Sequence, residues 1–167
     1  TFDWYIEMWN KARLHQALWN SIKVGVIASI ISTFIALFAA KAFTRYKVKF
    51  SGLSYGAILL PFIIPEIIIA VAFIVIWTSM GLKLGLIPIT ISHVLYCTPF
   101  CLLILISRME GFDKSLEEAS MDLGENAFGT FWRITLPLLL PGIVASLLLS
   151  FVISFDEFIL AFFLSSS

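Results

Sequence analysis

The chain alternates between long apolar runs and short polar connectors. Four runs, at about 20–43, 54–80, 84–107 and 138–164, each exceed the roughly 20 helical residues needed to cross a bilayer core. A membrane β-barrel would instead show short segments of alternating hydrophobicity, so we interpret the runs as helical spans. The pattern predicts an all-α integral membrane protein, with residues 1–167 forming a single membrane domain.

Composition supports this interpretation. Hydrophobic residues make up 60% of the chain and charged residues 13%, with a mean hydropathy of +0.99. Soluble domains have about 45–50% apolar and about 25% charged residues. The net charge is zero, which gives no indication of a nucleic-acid partner. The chain does not begin with Met and has no signal-peptide pattern, so we expect it to be a portion of a longer protein.

Charge asymmetry predicts the orientation of the spans. The connector 41–53 carries four basic residues (Lys41, Arg45, Lys47 and Lys49) and no acidic one, which is typical of a cytoplasmic loop. The segment 108–137 is then also cytoplasmic, whereas 81–86 and the C-terminal end lie outside. This orientation places seven Lys and Arg residues inside and four outside.

Prolines fall within or beside three of the four runs. They are Pro61 and Pro65 in the second, Pro88 and Pro99 in the third, and Pro137 and Pro141 at the start of the fourth. Each removes a backbone donor and predicts a kink or an interruption. Interruptions in three spans suit a bundle built around a pathway.

The cytoplasmic segment 108–137 has the pattern of two short helices joined at a glycine. Ser115 followed by Glu118 forms a capping box, which predicts a helix start near Leu116. Gly124 is placed to terminate that helix in a left-handed conformation, and a second short helix is expected over about 125–132.

Three aromatic residues of this segment, Phe128, Phe131 and Trp132, are too apolar to remain in water. We expect a partner or the bundle to cover them. The alternative is an amphipathic connector that rests on lipid headgroups.

The same segment resembles one family specifically. It contains Glu118-Ala119-Ser120, three residues, Gly124, nine residues, and then Ile134-Thr135-Leu136-Pro137. This spacing is similar to the EAA loop of the membrane subunits of binding-protein-dependent ABC importers, in which a second alanine stands where Ser120 is. The resemblance implies the transmembrane bundle of a type I ABC importer, with four spans visible of six.

Further segments resemble the permeases that import polyamines such as spermidine and putrescine. They are Leu60-Pro61 with Ile64-Pro65-Glu66, His93 with Pro99-Phe100, and Ser154-Phe155-Asp156-Glu157-Phe158. The resemblance implies a bacterial inner-membrane transport subunit without enzymatic activity. It also implies a dimer of ATP-binding subunits, which would bind ATP and Mg²⁺, a second and homologous permease subunit, and an extracytoplasmic substrate-binding protein. No phosphate-binding loop occurs in this sequence, so we expect no cofactor in this chain.

The resemblance also assigns roles in the loop. Its helices would sit in a cleft of the ATPase and transmit closure of the ATPase dimer to the bundle. The coupling residues carried over are Glu118, Ala119, Ser120, Gly124, Ile134, Leu136 and Pro137.

Three carboxylates lie within the apolar runs. Glu66 is 12 residues into the second run, ~18 Å at 1.5 Å per residue, which is close to the bilayer midplane. Asp156 and Glu157 lie ~27 Å along the fourth run, toward its outer end, and on a continuous helix they would point about 100° apart. A charge at the bilayer centre costs about 2.5–3.5 kcal/mol on insertion scales, so these groups are expected to face a cavity or the bundle interior.

An interior with carboxylates and no Lys or Arg favours cations, which suits the di- or triamines that the resemblance implies. The aromatic faces of Phe62, Trp77, Phe155 and Phe158 could stabilise ammonium groups. The alternatives are that Glu66 pairs with a hydroxyl or amide of a neighbouring span, and that Asp156 and Glu157 only reach toward the interface.

The two cysteines, Cys97 and Cys101, are four residues apart in an apolar run and are expected to be small packing residues, with no metal site.

Three other functions remain open. The chain could be an importer permease for another small solute, an intramembrane enzyme that uses Glu66 or the pair Asp156 and Glu157, or an ion channel or structural membrane component.

Overall fold

A computed structural model describes residues 9, 11–46 and 51–165. The helices are α1 (Ala12–Arg45), α2 (Ser51–Ile63), α3 (Glu66–Ser79), α4 (Leu86–Glu110), α5 (Ser115–Asp122), α6 (Ala127–Thr130), α7 (Leu136–Asp156) and α8 (Phe158–Leu164), with a π-helical turn, Phe131–Thr135, joining α6 to α7. The described residues therefore confirm the predicted all-α class.

Three helical stretches are long and apolar enough to cross a membrane: Ala12–Arg45, Leu86–Glu110 and Ala127–Asp156. They pack against one another as the core of the bundle. Small residues line the contacts at intervals of three to four, namely Gly25, Ala28, Ser29, Ser32, Ala36 and Ala40 on α1, Cys97 and Cys101 on α4, and Gly142, Ser146, Ser150 and Ser154 on α7. Small side chains let membrane helices approach closely, so this spacing explains why these three associate.

The second apolar run is broken into two halves. Helix α2 has 13 residues and α3 has 14, and Pro65 sits between them in an extended conformation with φ −56° and ψ 135°. Each half is ~20 Å long, so neither alone crosses ~30 Å of hydrocarbon. The predicted interruption therefore occurs at Pro65, whereas Pro61 stays inside α2.

The third run is continuous, so the predicted interruptions at Pro88 and Pro99 are wrong. Pro88 lies in the first turn of α4, where a backbone N–H has no helical partner in any case. Pro99 lies inside α4 without ending it. Close packing of α4 against α1 and α7 holds the helix together across the missing hydrogen bond.

The two ends of the bundle differ in character. At one end, Arg45 and Glu110 close α1 and α4 beside the loop helix α5. At the other end, the N–H of Gly85 donates to the carbonyl of Leu164 at 3.0 Å. The end that carries Arg45 is the one predicted to be cytoplasmic; Lys47 and Lys49 of that prediction lie outside the described residues.

Polar groups inside the bundle serve packing. Cys97 and Cys101 are buried, and their Sγ atoms lie 3.7 Å from the carbonyls of Ser150 and Ser146. His93 is buried as well, with its Nδ1 2.8 Å from Ser154 Oγ. The cysteines therefore pack helix against helix, as predicted.

Candidate coupling loop and carboxylate cluster

The first loop helix, α5, begins at Ser115 with an unexpected cap. Asp113 Oδ1 accepts a hydrogen bond from the Ser115 N–H at 2.9 Å, and bonds from this N–H and from the Ser115 hydroxyl hold the pKa of Asp113 below its usual value. The predicted capping box is wrong because Lys114, just before the helix, already has a helical backbone, and Glu118 pairs with Lys114 at 3.6 Å instead.

The turn after α5 follows the prediction for Gly124. Its φ is +93°, in the region that favours glycine. The Gly124 N–H donates to the Met121 carbonyl at 3.0 Å, and the Glu125 N–H donates to the Ser120 carbonyl at 3.2 Å. These two bonds form a Schellman motif, which satisfies the last carbonyls of α5 and fixes the direction in which the chain leaves it.

The second loop helix differs from the predicted segment 125–132. Asn126 caps it by accepting a hydrogen bond from the Gly129 N–H at 2.8 Å, and the helix runs from Ala127 through the π-helical turn into α7. It does not end at Trp132 because the π-turn widens the backbone just before Pro137. Such a turn accommodates a proline, whose ring would clash with the carbonyl four residues earlier in a regular helix.

The residues carried over from the resemblance fall into three groups. Glu118 and Ala119 are exposed on α5, whereas Ser120 is buried and its Oγ lies 3.1 Å from Thr130 Oγ1. Ser120 and Thr130 therefore hold the two loop helices together across the turn. Ile134, Leu136 and Pro137 lie at the junction with α7, the first two partly buried and Pro137 exposed.

The bundle covers one of the three loop aromatics. Phe131 is buried, its ring stacks on that of Phe38 with centroids 6.2 Å apart, and Lys41 Nζ lies 4.3 Å from its centroid. Phe128 and Trp132 remain exposed, as does Leu123, which is 88% exposed at the tip of the turn. The loop therefore presents exposed apolar side chains in addition to the exposed Glu118.

Two loop contacts involve residues to which the sequence assigned no role. Glu117 is buried, and its two carboxylate oxygens accept hydrogen bonds from Arg45 Nε at 2.5 Å and from Thr135 Oγ1 at 2.6 Å. The only sequence signal was a basic residue at the end of a span and an acidic residue in the loop. Nothing in their spacing indicated that they pair.

In the membrane part, Glu66 is the first residue of α3, immediately after the break at Pro65. Its Oε1 accepts a hydrogen bond from the Tyr96 hydroxyl of α4 at 2.7 Å. The predicted alternative, pairing with a hydroxyl of a neighbouring span, is thus what the structure shows. The pairing leaves Glu66 exposed, and no sequence signal marked Tyr96 as its partner.

Asp156 and Glu157 flank a second helix break, so the expectation of a continuous fourth helix is wrong. Helix α7 ends at Asp156, and Glu157 has an extended backbone, with φ −72° and ψ 98°. Glu157 turns inward and its Oε1 accepts the Leu160 N–H at 2.9 Å, which caps α8, whereas Asp156 is exposed. The two side chains point in different directions because the helix ends at Asp156 and the backbone of Glu157 is extended.

The two breaks lie side by side. Helices α3 and α8 pack together, and Glu157 lies close enough to both Glu66 and Asp156 for their charges to interact. Glu157 therefore lies near both of the other predicted carboxylates, and the three residues are called the carboxylate cluster below. Among the described residues, no group of three His, Cys, Asp or Glu side chains is arranged to hold a metal ion.

Comparison with known proteins defines the class of this molecule. Residues 32–167 match the family model described as "Binding-protein-dependent transport system inner membrane component". The chain is 31% identical over 165 residues to the spermidine/putrescine transport system permease protein PotC of Haemophilus influenzae, covering 99% of this chain and 64% of the relative. It is also 31% identical to PotC of Escherichia coli K12, covering 99% and 62%, and 28% identical over 170 residues to the putrescine transport system permease protein PotI of that strain, covering 97% and 60%.

The chain thus spans a little under two thirds of the length of these relatives. The matches confirm the resemblance to ABC importer permeases, most of all to polyamine permeases, and the location in the inner membrane. The chain belongs to the family of inner-membrane components of binding-protein-dependent transport systems.

Proposed function

We propose that this chain is a permease subunit of an ATP-driven importer that moves polyamines such as spermidine and putrescine across the inner membrane. The observation that carries the proposal is the clustering of three carboxylates at two adjacent helix breaks, in a bundle whose opposite end presents an exposed loop. The chain itself is a transport subunit, and a partner hydrolyses ATP.

The loop 108–137 docks on the ATP-binding subunit dimer. Glu118 and Ala119 face outward, where Glu118 can pair with a basic residue of the ATPase. Leu123, Phe128 and Trp132 supply exposed apolar area that a partner's cleft would cover. Gly124 and Ser120 set the angle between the loop helices, and ATP and Mg²⁺ bind to the partner.

The junction with α7 joins the loop to a membrane-spanning helix without a break. Because α6, the π-turn and α7 form a continuous helical stretch, Ile134, Leu136 and Pro137 connect the docking surface directly to a membrane-spanning helix. Closure of the ATPase dimer would displace the loop and tilt α7. Repacking of the broken helices would then expose the pathway outward.

The carboxylate cluster forms part of the substrate pathway. Glu66 and Asp156 are exposed in this chain and can replace part of the hydration of an ammonium group, while Glu157 caps α8 from inside the bundle. Three aromatic side chains near the breaks, Phe62, Phe155 and Phe158, are also exposed and offer faces to a cation. Trp77, by contrast, donates its Nε1–H to Ser92 Oγ at 3.2 Å within the bundle.

The exposed carboxylates need a facing surface, because charged groups in a membrane are not left to lipid. A second, homologous permease subunit provides it, so that the pathway forms between two bundles. Lipid covers the remaining apolar surface, and an extracytoplasmic binding protein delivers the substrate to the outer end.

Uptake of labelled spermidine and putrescine by proteoliposomes containing the full complex tests the proposal. We expect uptake that requires ATP and is competed by polyamines but not by amino acids, sugars or metal ions. ATP-dependent uptake of a different solute would retain the importer and reject the polyamine assignment. Substrate turnover by this chain alone would support an intramembrane enzyme, and ATP-independent ion flux would support a channel.

A further inference from the structure

Adjacent glutamates of the loop face opposite ways. The Glu118 side chain is 59% exposed, whereas Glu117 as a residue is only 6% exposed. Neighbouring residues on a helix point about 100° apart, so one face of α5 is directed outward while the other lies against the bundle. Glu118 belongs to the docking surface, but Glu117 has no role there.

Glu117 joins three separate parts of the chain. Its Oε2 accepts the bond from Arg45, the last residue of α1, and its Oε1 accepts the bond from Thr135, the last residue of the π-turn below α7. Thr135 is fully buried, and the Arg45 guanidinium lies over the Phe112 ring at 4.9 Å from its centroid. One carboxylate therefore connects the loop helix to two membrane-spanning helices.

These contacts are suited to transmit movement. A buried ion pair is strongly weakened when one partner is displaced, because the other charge is left without compensation in a region of low dielectric. The Nη2 atom of Arg45 is buried and has no acceptor among the described residues, so Arg45 depends on its bond to Glu117. A shift of α5 must therefore carry Arg45 and Thr135 with it or break both bonds.

We propose that Glu117 is a positioning residue that transmits displacement of the loop to α1 and α7, through a latch formed by Glu117, Arg45 and Thr135. This inference rests on the proposed coupling of the loop to an ATPase. Glu118 then receives the movement at the docking surface, and Glu117 delivers it to the bundle. Without the latch, closure of the ATPase would no longer move α1 with the loop, and α7 would be moved only through its continuous connection to α6.

The test measures ATP hydrolysed per polyamine imported, with the full complex in proteoliposomes. Glu117→Gln removes the charge that compensates Arg45, and Thr135→Val removes one donor while keeping the side-chain shape. Thr135→Ser keeps the hydroxyl and is the conservative partner of Thr135→Val. Glu110→Gln is the matched control, since Glu110 is an exposed carboxylate at the same end of the bundle.

We expect Glu117→Gln and Thr135→Val to raise the ATP-to-substrate ratio by roughly 10- to 150-fold, the shift that follows the loss of a hydrogen bond to a charged group. Thr135→Ser and Glu110→Gln should keep the wild-type ratio. If Glu117→Gln does not assemble, the pair of Thr135 variants decides the question. An unchanged ratio in Thr135→Val, or uptake and hydrolysis that fall together with the amount of complex, would overturn the latch.

Transport by the wild-type complex distinguishes failure of the latch from failure of the proposed function. Normal ATP-driven polyamine uptake by the wild type, with an unchanged ratio in the variants, would reject the latch alone. No ATP-driven transport by the wild type would reject the proposed function and the latch together.

Discussion

Replacing Gly124 by alanine should uncouple transport from ATP hydrolysis. Gly124 has φ +93°, and a Cβ at this position would meet no atom within 4 Å. The substitution therefore adds no steric clash with the rest of the chain. Its effect comes from the backbone alone, at the turn that sets the angle between α5 and α6.

The magnitude follows from the cost of a left-handed conformation. An L-residue other than glycine pays about 1–2 kcal/mol there, so the loop would shift from its present angle toward others by a factor of roughly 5–30. Asparagine enters this region at smaller cost than alanine. We therefore expect a graded series in which Gly124→Asn lies between the wild type and Gly124→Ala.

The assay is ATP-dependent polyamine uptake and ATP hydrolysis by the full complex, measured in parallel at saturating binding protein. Gly81 supplies a matched control, because its φ is +69°, its added Cβ would also meet no atom within 4 Å, and it lies in the turn between α3 and α4 at the opposite end. Gly81→Ala incurs a similar backbone cost without touching the loop.

We expect Gly124→Ala to import several-fold less polyamine per ATP hydrolysed, with normal amounts of assembled complex, and Gly81→Ala to retain the wild-type ratio. Equal ratios in the two variants would refute the reasoning, because the loop angle would then have no special part in coupling.

Three further predictions address the pathway, the packing and the loop cap. Glu66→Gln and Asp156→Asn should each slow polyamine uptake without lowering the amount of assembled complex; unchanged uptake in both would remove these carboxylates from the pathway. Gly142→Ala should destabilise the chain by about 1–3 kcal/mol in thermal unfolding, since the added Cβ would lie 3.0 Å from Arg108 Cγ. Gly56→Ala, with no atom within 4 Å of the added Cβ, should not destabilise it. Because the pKa of Asp113 is lowered on folding, its stabilisation of α5 is present above its unfolded pKa and lost as the pH falls through the folded value. Amide hydrogen exchange in α5 should show this loss of protection on acidification, and Asp113→Asn should reduce the pH dependence.

Local signals in the sequence predicted part of the structure correctly. Apolar runs longer than a bilayer core mark the spanning helices, Pro65 breaks the second run, and Gly124 ends α5 in the expected conformation. Each of these features depends on the residue itself or on its immediate neighbours, so a single sequence carries the information.

The features that were missed depend on tertiary contacts. The segment around Glu157 has no glycine or proline, and the break there is accompanied by a carboxylate that caps α8. Arg45 and Glu117 are 72 residues apart, and Tyr96 and Glu66 are 30 apart, so their pairing follows from how the helices pack. Pro99 inside α4 is tolerated for the same reason, because neighbouring helices support α4 on both sides.

Photocrosslinking from the tip of the loop tests the central claim most directly. A photoreactive amino acid placed at Leu123, which is 88% exposed, would be compared with the same group at Leu148, which is 63% exposed on the membrane-spanning α7. In membranes that contain the full complex, position 123 is expected to crosslink to the ATP-hydrolysing subunit and position 148 to lipid. Crosslinking of position 123 to lipid, with the ATPase present and active, would contradict the account.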